Sequence, residues 1–253
     1  MIWFVGAGPG AVDLITVRGQ ELLQRADMII YAGSLVNPAL LQLAGESCEI
    51  YNSAEMTLDE VLERMRDGNA RGLEIVRLHT GDPSLYGAMR EQIDKLEELG
   101  IPCQICPGVS SFCGAAAALQ AEYTLPGLTQ SVIITRAEGR TKVPDREHLG
   151  HLAVHGCTMV LFLSTGLLSH VKRELLTGAY REDTPCAIVY KATWEEEKIV
   201  RGTLGRLPEM AAENDITKTA LVLVGDFLGD DYELSRLYAP DFSTEYRKGK
   251  DQN

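Results

Sequence analysis

Arg136, Arg140 and Lys142 fall within the short polar segment TRAEGRTK, with Glu138 between the two arginines. Such a cluster suits a ligand rich in carboxylates, because a guanidinium fork bonds a carboxylate through two parallel N–H donors. Arg18 adds a cation near the N-terminus. All four also fit ordinary solvated surface charge, and Glu138 fits a proton acceptor, an orienter of arginines or a plain salt bridge. His79 stands directly before Thr80-Gly81-Asp82-Pro83. An imidazole there can move a proton or simply pack, and Asp82 can favour a cationic ligand or shape an Asp-Pro turn.

The other chemical signal is FVGAGPG, in which a hydrophobic strand runs into Gly6, Gly8 and Gly10, and Ala11 completes G-x-G-x-x-A. A dinucleotide site needs a helix starting inside that loop and an acid at the end of the second strand. Here Thr16 is the first helix cap, and MIIY ends in Ala32, Gly33 and Ser34. Both requirements fail, so a nicotinamide-type oxidoreductase is disfavoured. Cys103-x-x-Cys106 has no second half for a zinc site, and alternation places it in a buried strand. His148, His151 and His155 fit one helix face but read as solvated, so no metal is expected.

The elements that carry these residues alternate. Strands IWFVG, MIIYAG, CEIYNS, EIVRLHTGDP and PCQICPG are separated by helices through ELLQRAD, NPALLQLA, TLDEVLERMRDG, MREQIDKLEELG and SSFCGAAAALQ. Thr57 and Glu60 form a capping box, and Gly68 reads as the stop of that helix. The rhythm predicts a largely parallel sheet covered by helices. After a Pro126-Gly127 connector the second half restarts as mixed α/β: SVIITRA, CTMVLFLS, CAIVYKAT, KIVRGTL and TALVLVGDFLG as strands, LLSHVKRELLTG and RLPEMAAEN as helices. The expected boundaries are 1–122, 123–229 and a polar tail over 230–253.

Twenty-four Lys and Arg against 36 Asp and Glu give a net charge of −12 in 253 residues. That opposes nucleic acid as a partner. The N-terminus lacks the pattern of a signal peptide, no apolar run reaches membrane length, and six scattered cysteines read as free thiols, so a cytoplasmic protein is expected.

Four segments in order, GAGPG with DLITVRG, RLHTGDPSLYG, CPGVSS and TPCAIVYKAT, resemble the tetrapyrrole (corrin and porphyrin) methylase family from Met1 to about Gly229. TRAEGRT and YKATWEEEKIVR resemble its branch that methylates a precorrin at C-11. The uroporphyrinogen-III branch carries Gly-Gly-Asp-Pro where this chain has Thr80-Gly81-Asp82-Pro83. The resemblance implies two α/β domains with the active-site cleft between them, S-adenosyl-L-methionine as methyl donor (leaving as S-adenosyl-L-homocysteine), a tetrapyrrole substrate and a homodimer. It implies donor contacts at Pro9, Thr80, Gly81, Asp82, Leu85, Ser110, Ser111, Leu163, Ala192 and Ala220. Leu163 replaces a frequent Met and Ala192 a frequent Gly. Gly8, Gly10, Arg18, Arg136 and Arg140 are the implied substrate contacts, and His79, Arg136 and Glu138 the candidates for catalysis, with no base assigned. Tyr86 fits the edge of the donor pocket, and Trp194 a lid or a subunit contact. A family member acting at another ring position or on RNA or protein, and a non-catalytic binding module, are the rival readings.

Overall fold

The computed structural model describes residues 1–250. Its contacts divide the chain into two units, Met1–Ala118 with Lys191–Glu197, and Leu119–Tyr190 with the chain from Lys198 onward.

The first unit is built on five short strands expected from the sequence: β1 (Ile2–Gly6), β2 (Met28–Tyr31), β3 (Glu49–Asn52), β4 (Ile75–His79) and β5 (Cys103–Cys106). They pair in the order β3-β2-β4-β1-β5, every pair parallel. A parallel sheet sends all its strands out at one edge, so the loops after the two central strands leave side by side. Period-two alternation supplies two apolar faces. Val5, Ile29, Val76 and Leu78 pack with Leu22 and Leu23 of α1 (Val17–Gln24). Ile2, Phe4, Ile30 and Ile75 pack with Met65 of α2 (Leu58–Ala70) and Leu96 of α3 (Arg90–Glu98). Each such fully buried side chain contributes about 1.5–3 kcal/mol, which fixes the register that carries the loops.

Three local expectations change. Gly68 does not stop α2, which runs to Ala70 behind its Thr57–Glu60 capping box. Gly68 is a packing residue, since a Cβ there would lie 2.8 Å from Ile75 Cδ1, and Gly72 at φ +77° follows the helix end. The Cys103–Cys106 strand is only partly buried: it is a sheet edge with Ile105 45% exposed, and Cys106 alone of the four is buried. The NPALLQLA segment forms a 3-10 helix over Pro38–Leu43, capped by Asn37.

In the second unit, β6 (Val132–Arg136), β7 (Thr158–Phe162), β8 (Pro185–Tyr190), β9 (Lys198–Thr203) and β10 (Ala220–Val224) pair in the order β6-β7-β10-β8-β9. Only β6 and β7 run parallel. The core joins Met159, Leu161, Ile188, Val222 and Val224 to Leu168, Val171 and Leu175. Of the segment carrying three histidines, Leu149–Leu152 alone is α-helical, and His148 precedes it. From Asp230 the chain is largely exposed, with Arg247 bonded to the carbonyls of Leu237, Ala239 and Phe242. Both units are α/β, as the strand and helix pattern predicts. Among the described residues no helix is long and apolar enough to cross a membrane.

Candidate active site

At the carboxyl edge of the parallel sheet the loops after β1, β4 and β5 meet backbone to backbone. Ala7 N–H donates to His79 O at 2.7 Å, and Gly8 and Gly81 exchange bonds of 3.2 and 2.9 Å. A Cβ on Gly6 would lie 2.6 Å from both Gly108 Cα and Gly81 O, so the crossing requires glycine. Gly8, Gly81, Gly108 and the buried Ser110 thereby gather in one place, with Ser111 opening α4 (Ser111–Leu119).

Asp82 fastens this crossing. Its Oδ2 accepts Gly108 N–H at 2.9 Å, and its Oδ1 accepts Ser84 N–H at 2.9 Å together with the Ser84 hydroxyl. Partial burial opposes ionisation of Asp82, but the bonds from Ser84 and Gly108 outweigh it and hold the carboxyl below its usual range. The carboxylate is therefore both a loop clasp and a fixed negative charge. Leu85 N–H bonds back to Asp82 O, and the turn beyond it holds Tyr86 and Ala88 at φ 56° and 48°.

The first glycine loop continues through a 3-10 turn at Val12–Leu14, and α1 begins only at Val17, capped by Thr16. No helix N-terminus lies inside Gly6–Gly10 to cradle a pyrophosphate. Pro9 and Gly10 instead meet the Lys191–Glu197 turn: Trp194 Nε1 donates to Pro9 O at 3.2 Å, and Thr193 Oγ1 accepts Ala11 N–H at 3.0 Å. Ala192, in the same turn, is buried. Trp194 stands out in the sequence, but no local pattern joins it to Pro9. The nearest sequence signal is Gly10, whose missing side chain makes room for the indole.

His79 closes β4 and is 3% exposed, with its ring 5.9 Å from that of Phe4 and its Nε2 without a hydrogen-bond partner. Burial, aided by the nearby Arg77 charge, pushes its pKa down to about 3. Arg77 is buried on the same face, bonded through Nε to Gln92 Oε1 and through a terminal nitrogen to Ile30 O, both at 3.1 Å. Burial lowers it to about 10, which leaves it cationic at neutral pH.

In the second unit, Arg136 ends β6 and turns its guanidinium onto its own loop. It donates to Ala137 O (3.3 Å), Thr141 O (3.0 Å) and Lys142 O (2.7 Å). Glu138 accepts Val143 N–H at 3.1 Å and lies 3.7 Å from His148 Nε2. Arg140, at the tip, is exposed. Arg136 pairs with Phe162 at the end of β7, Leu163 follows it, and antiparallel β10 begins at Ala220, while Ser164 Oγ accepts Ala137 N–H at 2.8 Å. Arg136, Leu163 and Ala220 thus share one sheet edge. Leu163 is 66% exposed at φ 51°. Arg18 is exposed on α1 of the first unit. Among the described residues, six of the eight non-glycine positive-φ residues (Tyr86, Ala88, Leu163, Lys191, Thr193, Thr219) sit at or beside these loops. Among the described residues no cluster of His, Cys, Asp or Glu is arranged to hold a metal ion.

The loops of the first unit carry carboxylate, hydroxyl and backbone groups but no lysine or arginine over 6–13, 80–83 or 107–111. That donor set fits a cationic ligand without phosphate. Residues 1–208 match the family described as Tetrapyrrole (Corrin/Porphyrin) Methylases. The chain belongs to this family. A cobalt-precorrin-4 C(11)-methyltransferase of Methanocaldococcus jannaschii is 51% identical over 96% of this chain and 95% of its own. A precorrin-4 C(11)-methyltransferase of Pseudomonas aeruginosa is 45% identical over 98% and 99%. The X-ray structure of a cobalt precorrin-4 methyltransferase superposes with a TM-score of 0.89 at 48% identity, covering 90% of this chain and 96% of that one. A uroporphyrin-III C-methyltransferase from Thermus thermophilus, complexed with S-adenosylhomocysteine, gives 0.74 at 26%, covering 90% and 98%. This tetrapyrrole methylase is an enzyme of the methyltransferase class.

Proposed function

We propose that the chain transfers a methyl group from S-adenosyl-L-methionine to C-11 of precorrin-4 or its cobalt complex, in the building of the corrin ring. The observation that carries this reading is the near full-length similarity to relatives named for that reaction. The cation-free loop crossing supports the choice of donor. When bound, the donor supplies a methyl group already activated on a sulfonium, so the protein's task is alignment and exclusion of water.

In this reading Gly81 and Thr80, beside Pro9, Ser110 and Ser111, hold the donor largely through backbone and hydroxyl groups. Leu85 and Ala192 pack against it, and Asp82 favours its positive charge. Leu163 and Ala220 are the donor contacts assigned to the second unit. The tetrapyrrole carboxylates go to Arg140 and Arg18, with Gly8 and Gly10 leaving space for the flat ring. Arg136 acts mainly through its loop, because its fork is committed to three carbonyls. Glu138, half-exposed, remains the candidate proton acceptor, whereas the buried His79 is neutral and serves packing. The domain boundaries of 1–122 and 123–229 stay part of the proposal. So do a homodimer, which rests on family resemblance, and a cytoplasmic location, which the six free thiols support.

Calorimetry with S-adenosylhomocysteine and NAD in parallel tests the donor: binding of the first alone is expected, and tight NAD binding contradicts the reading.

A further inference from the structure

Lys191 and Thr193 hold φ of 46° and 69° without being glycine. Their turn is fastened from within. Thr193 N–H donates to Glu197 Oε2 at 2.6 Å, Trp194 N–H to Lys191 O at 3.0 Å, and Lys191 Nζ to Glu196 Oε1 at 3.0 Å. The same ammonium lies 4.9 Å from the Trp194 ring centroid. A strained turn supported this heavily is built to present something, and what it presents is two hydrogen bonds to the first glycine loop. Pro9 O receives the indole N–H, and Ala11 N–H reaches Thr193 Oγ1. The indole also fills the space that a Gly10 side chain would occupy. The Pro9 ring meets α4, where a Cβ on Gly114 would lie 2.7 Å from Pro9 Cβ, and Asn37 Nδ2 donates to Gly10 O at 2.9 Å. Pro9 is thus held at its carbonyl by the indole and packed at its ring against a helix glycine.

We infer that Trp194 is a positioning residue that presets the Pro9–Ala11 loop for the methyl donor. It acts through Pro9. The inference rests on the donor site proposed above, and it adds a determinant of donor affinity outside the strand-end motifs.

The test compares wild type and Trp194→Phe, full length, by calorimetry with S-adenosylhomocysteine, steady-state methyl transfer and thermal melting. Losing the indole N–H is expected to weaken S-adenosylhomocysteine about tenfold and raise the donor KM to match. The same variant should leave kcat within about twofold and the melting temperature nearly unchanged, because the ring still covers Gly10. Unchanged donor affinity overturns the inference. So does an equal fall of kcat, affinity and melting temperature, which marks a general structural role. A wild type that does not bind S-adenosylhomocysteine overturns the donor reading and this inference together. Should Trp194→Phe not fold, Thr193→Val removes the other bond to the loop and must show the same rise in donor KM; an unchanged KM overturns the inference.

Discussion

Asp82 Oδ2 accepts the backbone N–H of Gly108 at 2.9 Å, tying the loop after β4 to the loop after β5 across β1. The bond adds a side-chain clasp to a crossing that backbone bonds between Gly8 and Gly81 also hold.

Asp82→Ala is therefore expected to lower stability by about 1–2 kcal/mol, the scale of lost hydrogen bonds to a partly exposed charge, and to weaken S-adenosylhomocysteine at least tenfold. Asp82→Asn should retain much of the stability, because its amide oxygen still accepts one N–H. The held-down carboxyl is a stabilising term present above the unfolded pKa and lost as pH falls through the lower, folded one. Denaturant titration of both variants against pH reads the two effects; an Asp82→Ala protein with wild-type stability and donor affinity contradicts the clasp.

His79 gives a second acid-linked term. Its folded pKa of about 3 lies below the unfolded value of 6.5, so the unfolded chain takes up a proton first. Stability is full above pH 6.5 and falls as pH drops from there toward 3. By pH 4 the loss is about 3 kcal/mol. Replacing His79 with Gln should flatten that slope in urea titrations between pH 7 and 4, whatever it does to stability at pH 7.

Arg77 faces no carboxylate among its described partners, only Gln92 Oε1 and Ile30 O. Gln92→Leu removes one of the two and leaves a buried cation under-satisfied, at an expected cost of about 2–3 kcal/mol. Thermal melting checks it, with donor affinity per folded molecule expected to stay within about threefold.

Arg140→Ala should weaken the tetrapyrrole about tenfold, the worth of one well-formed carboxylate contact, while sparing S-adenosylhomocysteine and the melting temperature. Arg136→Ala should also loosen the 137–142 loop, visible as faster amide exchange at Val143. Equal loss of donor and tetrapyrrole affinity in Arg140→Ala contradicts its assignment.

Much of the fold was legible because it is written in periodicity. Short runs rich in aliphatic and β-branched residues marked most strands of the described residues, and Thr16, Thr57 and Glu60 marked helix starts that the chain uses. Gly68 misled because a glycine that ends a helix and one that lets a helix approach a strand look alike in sequence, and only the contact with Ile75 separates them. The edge position of Cys103–Cys106 was invisible for a related reason, since strand order is set by long-range pairing. In the candidate site, the late start of α1 was readable from the Thr16 cap. The commitment of the Arg136 fork to backbone carbonyls was not, because it depends on how a loop folds back. The bond from Trp194 to Pro9 joins residues 185 positions apart and has no local signature.

Methyl transfer to C-11 is read by a product assay with donor carrying a carbon-13 methyl group and precorrin-4, supplied with and without cobalt. One labelled methyl group per ring is expected, located at C-11 by carbon-13 resonance and mass. A label at any other ring position, or no transfer by folded protein to either form of the substrate, would contradict it.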